Sequence, residues 1–210
     1  MDAQLVVKNI VVIGNFLPQK FDKYFFLKNN IFQEEDILED SIFLTEFCMV
    51  QTPKMTIQIT SQQLIVVDVD PIAVNDISIL IKKVISYSHS SITASGVNFH
   101  FYISDNDTSQ NLSKKYFYFE NNLLNKFFLE EDKIGYGYYI SKNFKDTRLK
   151  LDIKPASYID IQKNSNQKII QFHFNFHKDY EENSVELFFA MVDKYNSYLE
   201  ESKNIISIYE

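Results

Sequence analysis

The clearest chemical pattern in this chain lies in residues 171–177, where polar side chains alternate with phenylalanines. Such alternation predicts a β-strand, because successive side chains of a strand point to opposite faces. One face would carry Gln171, His173, Asn175 and His177, whose side chains donate and accept hydrogen bonds. The two histidines would lie about 13 Å apart along the strand, too far to share one metal ion. The pattern therefore predicts either a polar binding strip or a strand whose polar side simply faces solvent.

Two aspartates are also spaced so that their carboxylates could act together. Asp68 and Asp70 end a predicted strand two residues apart, so they share one face. Paired carboxylates bind cations or act as general acid and base. The segment lacks the glycine and the ligand alternation of a calcium loop, and Pro71 with Asn75 is typical of a boundary between strand and helix. We therefore expect structural roles for both aspartates.

A third pattern places glycines between aromatic rings, in residues 135–139. Glycines allow a ligand to approach the backbone, and rings beside them could stack on it. Tyr136 and Tyr138 therefore join the polar strip as candidates for a binding surface. The same pattern also fits ordinary aromatic packing over a glycine kink.

A cluster of cations follows. Five positive side chains fall within thirteen residues: Lys142, Lys145, Arg148, Lys150 and Lys154. They predict a solvated hairpin edge, because lysines are common on exposed edge strands. A modest nucleic-acid patch is the alternative interpretation.

The remaining residues offer no recognised catalytic motif. The four glycines cannot be arranged into a dinucleotide-binding or phosphate-binding loop. Cys48 is the sole cysteine, which excludes a disulfide or a cysteine-based zinc site within the chain, and we expect it to be a small buried hydrophobe. His89 and His100 have no serine, cysteine or carboxylate at a spacing that defines a triad. We therefore predict a protein that is not an enzyme and needs no cofactor and no metal.

Composition and charge narrow the class of protein further. The 210 residues are 45% hydrophobic and 23% charged, which is typical of a globular protein. The formal charge is −7 and Arg148 is the only arginine, a balance that argues against nucleic acid as a partner. No apolar run approaches the roughly 20 residues of a membrane span, and the first residues lack the basic region of a secretory signal. We expect a cytoplasmic protein without a membrane partner.

Periodicity divides the first half of the chain into six elements. Runs of β-branched residues and period-two alternation predict strands, whereas apolar residues at three- and four-residue spacing predict helices. Strands are expected at residues 5–16, 42–51, 55–60 and 63–69, and helices at 18–32 and 77–88, the second capped by Asn75 or Asp76.

The second half repeats this order. After a first strand and a turn at residues 105–109 come a helix, further strands and a closing helix capped by Asn183 or Ser184. Strands are expected at 92–103, 134–141, 147–153, 158–162 and 168–176, and helices at 112–129 and 185–199.

Two sequence blocks echo each other. Residues 23–32 and 115–124 agree at five of ten positions, at an offset of 92, and the two closing helices share an apolar pattern at an offset of 108. We therefore predict an α+β fold, built by internal duplication of a β-α-β(3-4)-α unit, with an antiparallel sheet covered on one face by helices. Residues 1–90 would form the first repeat and residues 91–210 the second, within one compact pseudo-symmetric domain.

This order of elements resembles the TATA-box-binding-protein-like fold, in which two such units pair into one curved antiparallel sheet. Residues 11–16 and 96–99 also look like segments of sporadically distributed bacterial proteins without a characterised activity. DNA-binding members of the fold read the minor groove with a basic concave sheet and apolar wedges, a pattern from which this acidic chain departs. The duplicated βαββ arrangement of bacterial effector-binding domains is a second possible likeness.

The duplicated sheet, rich in tyrosine and phenylalanine, leads to a functional hypothesis. We expect a non-catalytic protein-binding or assembly module of a bacterial multi-component system, since these aromatic residues are favoured at interfaces. A protein partner or self-association into an oligomer would follow. A small-ligand sensor with a pocket between sheet and helices, and a nucleic-acid-binding protein with a curved sheet, are the alternatives.

Overall fold

A computed structural model of the chain describes residues 3–70, 77–88, 90–104, 109–120, 126–127, 134–160, 165–181 and 184–209. These residues form an α+β fold with nine antiparallel strands in one sheet and five α-helices. The strands are β1 (Gln4–Asn15), β2 (Ile42–Phe43), β3 (Cys48–Gln51), β4 (Met55–Ile59), β5 (Gln63–Asp68), β6 (Ser91–Ser104), β7 (Tyr138–Phe144), β8 (Thr147–Asp160) and β9 (Ser165–Asp179). The helices are α1 (Lys23–Lys28), α2 (Ile77–Ser88), α3 (Ser109–Phe117), α4 (Val185–Val192) and α5 (Tyr195–Ile206).

The strand order across the sheet is β2-β3-β4-β5-β1-β6-β9-β8-β7. The long strands β1 and β6 pair at the centre, with Ile10 opposite Val97. The register slips once near each end of this pairing, so that Val6 on β1 and Thr93 on β6 are each left over as the extra residue of a β-bulge. Strands β5, β4, β3 and β2 extend the sheet on one side of this central pair, and β9, β8 and β7 extend it on the other.

Alternation along the strands puts apolar side chains on one face of the sheet. Phe172, Phe174 and Phe176 of β9 are fully buried, and so are Ile10 and Val12 of β1. A large aromatic side chain that leaves water contributes about 2–3 kcal/mol, so this face is the main source of folding free energy. The same alternation turns the polar residues of β9 to the opposite face.

Aromatic rings join α5 to the sheet. Tyr195 of α5 meets Phe99 edge-on at 5.2 Å between ring centroids, and Tyr198 stacks on Phe176 at 4.6 Å with an interplanar angle of 21°. Each such pair contributes about 0.5–1.5 kcal/mol beyond its buried area. The phenylalanine side chains therefore pack directly against α5.

The other helices make comparable contacts. Phe117 of α3 meets Tyr138 of β7 edge-on at 5.3 Å. Met191 of α4 accepts a hydrogen bond from Ser95 at 2.9 Å. Helix α2 buries Ile77 and Ile81, the apolar stripe that its period predicts.

Several sequence predictions are confirmed. Helix α2 spans the predicted residues 77–88, and β4, β5 and β6 lie within one or two residues of their expected bounds. Cys48 is fully buried, and burial raises the pKa of its thiol to about 12, as fits a small hydrophobe. The predicted caps Asn75, Asp76 and Asn183, and the turn at 105–108, lie outside the described residues.

Other predictions about single elements were wrong. The helix predicted at residues 18–32 is α-helical only over α1, because the chain turns at Asn30, whose φ of 51° leaves the helical region. The strand predicted at residues 42–51 is a hairpin of β2 and β3, closed by a hydrogen bond from the Leu44 amide to the Phe47 carbonyl. Helix α3 ends at Phe117, so of the described residues 115–120 of the second echoing block only the first three are helical.

Two further corrections concern the second half. Residues 147–160 form the single strand β8 rather than two strands, because Pro155 lies beyond the end of β7, where a missing N–H breaks no described pairing. The closing helix is interrupted at Asp193 and Lys194, which separate α4 from α5. None of the described helices combines the length and the apolar character that a membrane span requires.

Candidate functional site

The candidate site lies on the side of the sheet that points away from the buried phenylalanines, which we call the polar face. Cross-strand register arranges its side chains in rungs that run from strand to strand. The asparagine rung consists of Asn9, Asn98, Asn175 and Lys150, on β1, β6, β9 and β8. The histidine rung consists of His100, His173, Asp152 and Tyr139, on β6, β9, β8 and β7.

Amide hydrogen bonds link three members of the asparagine rung. Asn175 Nδ2 donates to Asn98 Oδ1 at 2.6 Å, and Asn98 Nδ2 donates to Asn9 Oδ1 at 2.7 Å. Gly96 makes room for this arrangement, since a Cβ there would lie 2.8 Å from Asn175 Nδ2. The three amides therefore hold one another in place before any ligand arrives.

The histidine rung brings two imidazoles into contact. The rings of His100 and His173 lie 3.8 Å apart between centroids, at an interplanar angle of 63°. Burial lowers the pKa of His100 to about 4, with smaller contributions from the neighbouring His173 and Lys154. Burial also lowers the pKa of His173, although the charge of Asp152 opposes that shift. Both rings are therefore neutral near pH 7, and each offers one donor and one acceptor nitrogen.

A shallow depression of about 390 Å³ opens where the two rungs meet β7. It is lined by Tyr139, Lys150, Asp152, His173 and Asn175. Tyr139 is 66% exposed, so it offers an accessible aromatic side chain at the rim. The lining thus combines an ammonium, a carboxylate, an amide, an imidazole and a phenol within a small volume.

Of the two charged side chains that line the depression, Asp152 has an ion-pair partner and Lys150 has none among the described residues. Lys154 Nζ contacts Asp152 Oδ2 at 2.6 Å, so one carboxylate oxygen already has a cation. Within the described part of the chain, Lys150 makes no hydrogen bond or ion pair. Arg148, two residues before it on β8, donates to Asn143 Oδ1 at 2.9 Å and to Ser141 Oγ at 2.5 Å. Lys150 is therefore the cation of this region that is open to a ligand.

The candidate residues predicted from the sequence do not all lie on one face of the sheet. Gln171, His173, Asn175 and His177 all lie on the polar face, as their alternation predicts. Tyr138 packs edge-on against Phe117, and the backbone N–H of Tyr136 donates to Ser113 Oγ of α3 at 3.0 Å. These two tyrosines therefore lie on the core side of the sheet, away from the histidine rung.

His177 does not line the depression. Its Nε2 lies 3.0 Å from Asp179 Oδ1 on the same strand, and it pairs across to Arg148. It belongs to the next rung along β9, beside the asparagine rung.

The cation cluster of the β7–β8 hairpin is also divided. Lys142 contacts Glu201 Oε1 of α5 at 2.6 Å, and Lys145 contacts Ser197 of the same helix. Arg148, Lys150 and Lys154 lie instead on the polar face. The five cations do not form one continuous patch for a phosphate backbone.

The two aspartates expected to be structural have different surroundings. Asp68 forms an ion pair with Lys8 at 2.8 Å, in which both side chains are buried. The exposed Asp70 donates its backbone N–H to Asp68 Oδ1 at 3.1 Å. Lys8 was not predicted as a partner, because strand pairing brings it beside Asp68 from 60 residues away in the chain.

The described residues contain no cluster of potential metal ligands. Among them, no group of three or more histidine, cysteine, aspartate or glutamate side chains could hold a metal ion. Sequence reasoning missed five members of the two rungs: Asn9, Asn98, His100, Asp152 and Tyr139. The alternation of Gly96, Asn98 and His100 with apolar residues was the available signal for β6.

No protein-family model matches this chain, and none of the curated proteins matches it. Its function must therefore be inferred from the polar face itself.

Proposed function

We propose that this chain is a non-catalytic module that binds another protein, or a second copy of itself, through the polar face. The observation that carries the proposal is the asparagine rung, whose amides are already hydrogen bonded to one another across β1, β6 and β9. A surface that is fixed before binding loses less conformational entropy when a partner docks. The neutral imidazoles of the histidine rung add donors and acceptors without the desolvation cost of a full charge.

The proposed surface depends on a second inference, that the helices cover one face of the sheet only. In support, Phe117 of α3 contacts Tyr138, Met191 of α4 contacts Ser95, and Tyr198 of α5 contacts Phe176. These three partners lie on the core side of the sheet. The ion pair of Lys82 on α2 with Asp193, the residue directly after α4, extends the same layer. The other face would then be free for a partner.

We also propose that the sheet arose by duplication, as the TATA-box-binding-protein-like resemblance implies. The strand order supports this. Counted outward from the centre of the sheet, the first half runs β1, β5, β4, β3 and the second half runs β6, β9, β8, β7, so each half begins with its first strand and continues with its later strands in reverse. The bulges support it as well. Val6 precedes Ile10 by four residues, and Thr93 precedes Val97 by four, while Ile10 and Val97 face each other. A pseudo-twofold axis through that pair would exchange the two bulges.

The helices are compatible with the same symmetry. The offset of 87 residues that separates Ile10 from Val97 carries α1 onto residues 110–115, inside α3. Helices α2 and α4 begin at Ile77 and Val185, the offset of 108 noted in the sequence. Duplication would explain why one sheet presents rungs that run across both halves.

The binding proposal is tested by changing the polar face without changing the core. Gln171→Arg adds a long cation to that face, and Asn204→Arg adds a similar side chain to an exposed position of α5. Light scattering after size-exclusion chromatography measures self-association, and affinity capture followed by reconstitution with the purified partner measures hetero-association. Gln171→Arg should weaken the complex, whereas Asn204→Arg should not. A strictly monomeric protein without a reconstitutable partner contradicts the proposal, as does equal sensitivity to both variants.

The depression favours a second candidate function, a small-ligand sensor. Its volume of about 390 Å³ lies in the range of small-molecule sites, which are roughly 300–1,000 Å³. It sits on the sheet surface rather than between sheet and helices, where the sequence placed such a pocket. A thermal-shift screen against metabolites should then identify a stabilising compound, and a flat response over a broad library contradicts this candidate.

A further inference from the structure

We infer that the depression is a site for a free α-amino acid in its zwitterionic form. This inference rests on the sensor candidate described above and names its ligand class. It follows from the way in which the two rungs distribute charge over the lining residues.

The asparagine rung supplies a carboxylate subsite. Lys150 contributes an ammonium group that makes no ion pair within the described residues, and Asn175 lies directly opposite it on β9. Directly opposed residues on neighbouring strands have Cβ atoms about 4.5–5.5 Å apart, so both side chains reach one ligand group. Asn175 uses its amide to donate to Asn98, which leaves its second N–H for a carboxylate oxygen.

The histidine rung supplies an ammonium subsite. Asp152 lies between His173 on β9 and Tyr139 on β7. Lys154 contacts Asp152 Oδ2, while Oδ1 makes no hydrogen bond among the described residues. A neutral imidazole nitrogen accepts a second ammonium hydrogen, and the exposed face of the Tyr139 ring attracts a cation.

The spacing of the two subsites suits a small zwitterion. Lys150 and Asp152 are two residues apart on one face of β8, so their Cα atoms lie about 6.5–7 Å apart. In an α-amino acid the ammonium and carboxylate groups are joined through one carbon, about 3 Å apart, so the two side chains can each form an ion pair of about 2.8 Å with the same ligand molecule.

The inference is tested by titrating the ¹⁵N-labelled full chain with L-alanine, L-leucine and L-phenylalanine and following backbone amide shifts by NMR. We expect saturable shifts at Lys150, Asp152, His173 and Asn175 for at least one of the three. The matching carboxamide, which lacks the carboxylate, and the N-acetyl derivative, which lacks the ammonium, should each bind at least about tenfold more weakly, because each loses one charge-assisted hydrogen bond.

Variants supply the second arm. Lys150→Gln and Asp152→Asn should each weaken binding by about tenfold or more. Lys145→Gln removes the same charge from the same hairpin but on the side that contacts α5, so it should leave binding within about twofold. If one variant does not fold, the other variant and the ligand analogues still carry the test.

Three results would overturn the inference: no saturable shift at these amides, equal binding of the zwitterion and its blocked analogues, or equal binding by the wild type and both variants. A metabolite of another class that shifts the same amides would overturn the amino-acid assignment and leave the sensor candidate standing. Loss of the protein partner through Gln171→Arg is a separate readout, so the two proposals can fail independently.

Discussion

Removal of the Lys8 ammonium should destabilise the protein far more than removal of any lysine on its surface. Lys8 of β1 and Asp68 of β5 form an ion pair at 2.8 Å, and their side chains are 6% and 0% exposed. Lys8→Met keeps the length and apolar stem of the side chain but leaves the Asp68 carboxylate buried without its cation. A buried charge that loses its partner costs about 3–5 kcal/mol.

The pair itself need not stabilise the fold by that amount. Replacing both members removes the uncompensated charge, so Lys8→Met with Asp68→Asn should cost much less than Lys8→Met alone. The asparagine introduced in the double variant keeps an acceptor for the backbone N–H of Asp70, which donates to Asp68 Oδ1 at 3.1 Å. We expect a coupling energy of about 2–3 kcal/mol between the two positions, the upper range for residues in contact.

Urea denaturation at neutral pH, followed by circular dichroism, measures the free energy of unfolding of each variant. The matched control is Lys154→Met, which breaks an ion pair with Asp152 whose side chains are 53% and 35% exposed. It should cost no more than about 1 kcal/mol, because solvent screens exposed pairs. If Lys8→Met costs no more than Lys154→Met, or if the double variant is no more stable than Lys8→Met alone, then the buried-charge explanation is incorrect.

Three further predictions follow from other parts of the molecule. Because burial lowers the pKa of His100 to about 4 from 6.5, the unfolded chain takes up a proton first as pH falls. The free energy of unfolding should therefore drop between about pH 6.5 and pH 4, by about 1–2 kcal/mol for this partly screened residue. His100→Gln should flatten that part of the pH profile, and an unchanged profile would contradict the assignment. Gly96→Ala places a Cβ 2.8 Å from Asn175 Nδ2, the end of a flexible side chain, and should cost about 1 kcal/mol. Gly14→Ala, whose Cβ would lie 2.0 Å from a backbone carbonyl oxygen, should cost more, about 2–3 kcal/mol in thermal or urea unfolding; the reverse ranking would count against the packing argument. Cys48, fully buried with a pKa raised to about 12, should react with a thiol reagent only after denaturation, and rapid modification of the native protein would show that the strand opens.

Local patterns were sufficient for much of the fold. The alternation in residues 171–177 placed β9 and assigned its two faces, and the helical period of residues 77–88 placed α2. Predictions failed where local rules were overridden by neighbours. Two strands were predicted at residues 147–153 and 158–162, but Pro155 between them lies where β8 has no described partner on one side, so its missing N–H breaks no described pairing. The left-handed turn at Asn30, within an aromatic run of helical period, ended α1 early.

The candidate site was predicted only in part. His173 and Asn175 were named from their alternation, whereas Tyr136 and Tyr138 were grouped with them only because they are aromatic and flanked by glycines. In the observed register of β7 and β8, Tyr138 packs against Phe117, and Tyr139 lines the depression instead. A shift of one residue along a strand reverses the face, and sequence alone did not fix that register.

The sequence by itself determined which side chains could share a face, because the two-residue period of a strand is a local property of the backbone. It also determined the chemical inventory: one cysteine, one arginine, four glycines and a net charge of −7. Only the tertiary structure decided which faces meet. Strand pairing joined Lys8 to Asp68, His100 to His173 and Lys150 to Asn175, contacts between residues that are 25 to 73 positions apart in the chain. Such contacts depend on the order and register of strands across the whole sheet, which no local pattern encodes.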